Sequence, residues 1–175
     1  MSDTAFRPFD DLLDRDAALA TLREAVAGAD DGELFLERRR SEAVVLDDGR
    51  IRAASYDASS GFGLRAVRDD VTGYAHSTEI SNAAITRASA TARLAVGSGG
   101  GTMAPPPVAT NRRLYTDDDP IAAAGFPVKV EVLREIDEFV RGLDARVVQV
   151  SATIAASHQE AEILRPEGQS LREFR

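Results

Sequence analysis

Asp48-Gly49 stands between two strand-like runs, residues 43–47 and 50–56. A two-residue hairpin loop needs positive φ at its centre, which Asp and Gly tolerate, so this pair is a strong hairpin signal. Further runs lie on either side. Residues 33–38 precede the hairpin. After it, Phe62, Leu64 and Ala66 alternate with Gly63, Arg65 and Val67. Residues 69–72 then read as a second turn and 73–77 as a returning strand. The expected fold class is α+β, an antiparallel meander with one face covered by two to three helices.

Three helices are expected. The first spans about residues 16–28, capped by Asp14 or Asp16, with Leu19, Leu22 and Val26 on one face. Gly28 and Asp30-Asp31-Gly32 stop it. Ser81 caps a second helix over about 82–96, whose inner face is Ile85, Ala88, Ala92 and Val96. The third covers about 127–143 with the clearest apolar stripe in the chain: Val132, Ile136, Phe139, Val140 and Leu143. Residues 97–126, with glycines at 97 and 99–101 and prolines at 105–107, read as a long irregular connection. Residues 146–154 read as a strand and 158–164 as its hairpin partner, turning through Ala155-Ala156-Ser157. The domain plan is a loose leader over 1–15, an α+β domain over 16–165, and a polar tail over 166–175. The last hairpin has few partners, so more sequence is expected to follow.

The formal net charge of -8 disfavours phosphate backbones and anionic membranes. With no cysteine, thiolate catalysis and Cys-ligated zinc are excluded within these residues. The polar, acidic N-terminus is not a signal peptide, and no run approaches the length of a membrane span. The reading is of a soluble cytoplasmic protein.

Each candidate chemistry has a plainer reading. Catalytic zinc takes three protein ligands, and the chain has two histidines, His76 and His158, far apart in sequence. His158, Glu160 and Glu162 share one face of an expected strand, which reads as a solvated polar face. His76 reads as a surface or packing histidine. The glycines at 97 and 99–101 follow a helix and are not followed by Lys, so they read as a helix stop and linker, not a phosphate cradle. Gly61-Phe62-Gly63 lacks the third glycine of a dinucleotide fingerprint and reads as permitting a bulge or a close strand approach. Arg38-Arg39-Arg40 reads as a solvated strand end diluted by Glu37 and Glu42. Asp117-Asp118-Asp119 reads as a solubilising loop. No Gly-x-Ser-x-Gly elbow occurs. No catalytic residue and no metal ligand is assigned, and the binding residues are left open.

Taken in order, several short motifs resemble one family. They are Leu46-Asp47-Asp48-Gly49-Arg50-Ile51, Ser55-Tyr56-Asp57, residues 61–67 (GFGLRAV), and Thr72-Gly73-Tyr74-Ala75-His76-Ser77. Leu114-Tyr115-Thr116 with Asp119-Pro120 follows, and then residues 132–152 with Arg146-Val147-Val148-Gln149-Val150. Together, over about residues 33–165, they resemble the N-terminal domain of the TldD/PmbA family, the modulators of DNA gyrase. Residues 73–77 lean toward TldD over TldE (PmbA). The resemblance implies a noncatalytic fragment of a cytoplasmic zinc metalloprotease that pairs with a TldE-type subunit, or self-associates, and trims unfolded or extended peptides, including antitoxins. It places zinc in the full-length protein, on two His of an HExxxH helix and a later Cys. Neither motif occurs here, so no cofactor is assigned to this chain. The alternative reading is a stand-alone binding or adaptor module linked to gyrase or toxin–antitoxin regulation.

Overall fold

The computed structural model describes residues 5–97 and 115–175. Among these, five strands form one antiparallel sheet: β1 (Asp31–Asp47), β2 (Arg50–Arg68), β3 (Val71–Ser77), β4 (Ser151–Leu164) and β5 (Ser170–Phe174), in the order β3-β2-β1-β4-β5. The helices are α1 (Pro8–Asp11), α2 (Arg15–Ala25), α3 (Asn82–Val96) and α4 (Phe126–Leu143). The α+β class holds. The hairpin at Asp48-Gly49 forms, with φ of 51° and 74° at its two residues. Asp14 and Ser81 cap α2 and α3 by accepting from Ala17 N and Ala84 N at 3.0 and 3.1 Å.

Period-2 alternation in β1 builds the covered face of the sheet. Leu34 and Leu36 lie at one end and Val44 and Leu46 at the other, all buried. Leu34 and Leu36 stand opposite Leu64 and Phe62 of β2 and join Leu22 of α2, Ile85 and Ala92 of α3, and Leu164 in the larger core. Each fully buried Leu contributes about 2 kcal/mol of transfer free energy. Gly73 lets α3 lie directly on β3: a Cβ there would meet the Ala92 carbonyl oxygen at 2.1 Å. The second, smaller core joins Val44 and Leu46 to Leu133 of α4, with Ile51, Val130, Ala152 and Ile154 packed around them.

The sheet has two unequal halves. β3 pairs only with residues 62–68 of β2, and β5 only with residues 160–164 of β4. The end under α2 and α3 is therefore five strands wide. Among the described residues the hairpin end, under α4, consists of β2, β1 and β4.

Five expectations need correction. Residues 33–38 and 43–47 are one strand, and so are 50–56 and 62–67, because the polar residues between them continue the pairing. Residues 146–164 are not a hairpin: Ala155, Ala156 and Ser157 pair straight across to Ala43, Glu42 and Ser41 of β1, and the strand starts at Ser151. The segment read as a loose leader is described from residue 5; it carries α1, and Phe6, Pro8 and Leu13 are buried. The segment read as a tail contains β5. The α4 stripe is largely not an inner face. Leu133 is fully buried while Phe139 is 67% exposed, and Val132, Ile136 and Leu143 are exposed too. Lys129, Leu133 and Asp137 face the sheet instead. Polar anchors set this rotation: Lys129 donates to Glu42 and to the Ile121 carbonyl (2.8 Å), and Arg141 links Asp137 (3.0 Å) to Asp48. The glycines and prolines expected to break the chain at 99–107 lie outside the described residues; Gly97 caps α3 with φ 66°.

Candidate functional site

Between the two cores the covered face turns polar. Arg38 and Arg40 of β1 continue the parity of Leu34 and Leu36, and His158 and Glu160 of β4 stand opposite Arg40 and Arg38. Arg38 donates twice to Glu160 Oε2, from Nε at 3.0 Å and Nη2 at 2.6 Å. Arg40 Nη2 lies 3.0 Å from His158 Nδ1, 3.0 Å from Asp119 Oδ2 and 3.6 Å from Glu160 Oε2. A guanidinium can only donate, so His158 Nδ1 accepts and the ring proton sits on Nε2. The Phe6 amide donates to Glu160 Oε1 at 2.9 Å, and the His158 ring stacks on Phe174 with centroids 6.2 Å apart.

These charges are buried: Arg40 is 5% exposed, His158 4% and Glu160 3%. Such groups persist away from water only when paired and hydrogen-bonded. Burial pushes the Glu160 carboxyl up, but the Phe6 amide and Arg38 outweigh it and hold it below its ordinary value. Burial likewise acts on Asp119 and is outweighed by the amides of Ile121 and Ala122 and by the Arg40 charge. Asp119 lies in the connection leading into α4, so the belt fastens that connection to the sheet. Glu162, one step further along the same strand face, goes the other way: burial raises its carboxyl.

The belt corrects three sequence readings. His158 and Glu160 are not on a solvated strand face. Arg38-Arg39-Arg40 is not a solvated strand end, since only Arg39 is exposed. Asp119 is more than a solubilising residue. The available signal was the parity of β1, which runs unbroken from Leu34 to Leu46 through both arginines. His76 is exposed on β3 and stacks on Tyr74, with centroids 5.7 Å apart. Gly63 leaves room for that tyrosine, since a Cβ there would meet Tyr74 Oη at 2.6 Å; at Gly61 a Cβ would meet the Ser77 carbonyl oxygen at 2.7 Å, which is the close strand approach expected of residues 61–63.

Between β3 and α3 lies an open groove of about 370 Å³. Ala75 of β3 and Ala84 and Ala88 of α3 line its apolar part, and Arg87 and Thr91 of α3 are among its polar lining. Arg87 pairs with Glu79 at 2.8 Å, both well exposed.

Residues 32–96 match the family described as PmbA/TldA metallopeptidase domain 1. Over that stretch the chain is similar to a PmbA/TldD-type first domain. The chain is 24% identical over 163 residues to a metalloprotease TldD homolog from Buchnera aphidicola (Acyrthosiphon pisum), covering 93% of this chain and 34% of that protein. It is 29% identical over 142 residues to one from Haemophilus influenzae, covering 79% of this chain and 30% of that protein. The chain thus spans about a third of the length of these TldD relatives. Two solved structures share the fold. A modulator of DNA gyrase from Thermotoga maritima superposes with a TM-score of 0.67 at 13% identity, over 91% of this chain and 36% of that one. TldE from Thermococcus kodakarensis superposes with 0.65 at 17% identity, over 90% and 36%.

The described residues do not fit the zinc that the PmbA/TldD resemblance implies. His158 offers its Nδ1 lone pair to a guanidinium within a belt that already holds two arginine cations, and His76 sits on an edge strand against a tyrosine ring. Among the described residues no three His, Asp or Glu side chains converge as a metal would require. No helix among them is long and apolar enough to cross a membrane.

Proposed function

We infer that this chain is the noncatalytic N-terminal part of a TldD-like zinc metalloprotease, one that trims unfolded or extended peptides together with a TldE-type subunit in the cytoplasm. The observation that carries this reading is the match of residues 32–96 to the family's first domain, within an alignment that takes in most of this chain and a third of a TldD homolog. In this reading zinc chemistry belongs to the later motifs that the resemblance implies. The domain's own contribution is structural: its sheet walls a substrate chamber and its helices meet a partner. The three-stranded hairpin end and the outward apolar stripe of α4 support that role, since both leave surface that a neighbouring domain or subunit can cover.

Assembly with a TldE-type subunit, with and without residues 1–175, tests the reading. Dependence of assembly and peptide trimming on these residues is expected, together with no stoichiometric zinc on the isolated chain. Unchanged assembly without them, or chelator-sensitive peptide cleavage by the isolated chain, overturns it.

A further inference from the structure

We propose that the outward stripe of α4 docks a basic amphipathic helix, which packs its apolar seam along Val132, Ile136, Phe139 and Leu143 and sets lysine or arginine side chains against Glu131, Glu135 and Glu138. This pairing rests on the proposed role of α4 as a surface to be covered, and it is independent of any zinc site.

The spacing of the stripe sets the shape of the occupant. Val132, Ile136, Phe139 and Leu143 recur at intervals of four, three and four residues, and Val128 extends the row by one turn. All five are exposed, while Lys129, Leu133 and Asp137 hold another flank of the helix to the sheet. Alternation of four and three is the seam of a coiled pair, in which each side chain of one helix enters a hole between four of the other. From Val132 to Leu143 the row climbs about 16 Å at the helical rise of about 1.5 Å per residue. A second helix rises at the same rate and keeps register along the row. An extended segment rises about 3.3 Å per residue and falls out of step.

The border of the stripe sets the charge. Glu131, Glu135 and Glu138 follow the apolar row on the side turned from the sheet, and all three are exposed. Glu131 and Glu135 are four apart and Glu135 and Glu138 three apart, so like charges are neighbours along this border and destabilise the helix slightly. Arg134 lies beyond them and adds one positive charge. Cationic side chains on the occupant relieve that repulsion, and the formal net charge of -8 steers a cationic partner toward the chain. A second copy would bring the same three carboxylates and the same net charge, so like would meet like. An apolar row with a complementary charged border is the usual way one helix receives another.

The probe is a fluorescein-labelled peptide, acetyl-AKLAAKLAKLAAKLAK-amide, whose leucines repeat the four-three-four spacing and whose lysines lie along one flank. It is titrated into the isotopically labelled chain, and binding is read by anisotropy and amide chemical shifts. Saturable binding is expected, with shifts centred on residues 126–143. A counterpart with proline at two central alanines, which cannot form the helix, should not bind, and neither should one with glutamate for every lysine. Phe139→Ala should weaken binding about tenfold. Glu135→Lys should weaken the lysine peptide about fivefold and leave its glutamine counterpart unchanged. Urea midpoints of both variants check that they remain folded. No binding at millimolar peptide overturns the proposal. So do equal binding of the proline or glutamate peptide, unchanged affinity in Phe139→Ala, shifts centred on β3 or α3, or self-association of the chain through α4 that the peptide does not displace. Each of these outcomes leaves the assembly test with a TldE-type subunit to be decided on its own.

Discussion

Arg40 shows how much a single side chain holds in this fold. It bridges His158 and Asp119, and its removal leaves an acceptor nitrogen and a carboxylate without their cation in a buried setting. Arg40→Ala should cost about 3 kcal/mol in urea unfolding. Arg40→Met should cost less, because it keeps the apolar stem. The belt also sets an acid limit. Glu160 and Asp119 are both held below ordinary carboxylate values, which are near 4.5 and 3.8. A depressed folded value means that the stabilisation is fully present above the ordinary value and is lost as pH falls through the lower, folded one. The urea midpoint should therefore fall steeply below about pH 4, and Glu160→Gln should flatten that slope. A midpoint that stays level into that range would remove the belt from the account. Sequence alone made Arg38 and Arg40 visible, but not their burial. Whether a polar stretch of strand is wet depends on what crosses it, and Asp119 arrives from nearly 80 positions away in sequence, 119 − 40 = 79.

At the scale of elements, α4 is the sharpest divergence between pattern and packing. Its apolar periodicity correctly marks a helix over nearly the expected span, and misplaces the face that packs. Lys129 faces the sheet because it meets Glu42 of β1, and Asp137 does so beside Arg141 of its own helix, which reaches Asp48 of the hairpin turn. Periodicity counts hydrophobicity and cannot see an ion pair supplied by another element. The two faces should separate cleanly in mutagenesis. Leu133→Ala should cost about 2–4 kcal/mol. Phe139→Ala, on the exposed stripe, should stay within about 0.5 kcal/mol. Equal losses at the two positions would refute this seating of α4. By contrast α3 was legible almost residue for residue. Its Ser81 cap, its Ile85, Ala88, Ala92 and Val96 face, and its stop at Gly97 all depend on local rules and on small side chains that fit one way against a sheet.

Across the whole molecule, stability is distributed unevenly along the strands. The end beneath α2 and α3 has five strands and the larger core, and the hairpin end has three strands and the smaller one. Local opening follows the density of buried apolar contacts. Amides of residues 53–60, exposed along their length, should exchange with solvent deuterium much faster than those of 62–66. Uniform protection along β2 would contradict this division. The Asp-Gly pair and strand periodicity announced the antiparallel sheet. They did not announce that β4 crosses to the far side of β1, because strand order is fixed by long-range packing and leaves no local mark.

The inverted seating of α4 gives its two flanks different responses to the medium. A largely buried ion pair and Leu133 hold it to the sheet on one flank, and oily side chains look outward on the other. Added salt screens a buried pair little, whereas a strongly hydrated salt such as sulfate strengthens apolar association. Concentrated sulfate should thus leave the helix on its own sheet while driving its outer flank toward new company, so that self-association on salting-out would begin at this helix before the rest of the surface follows.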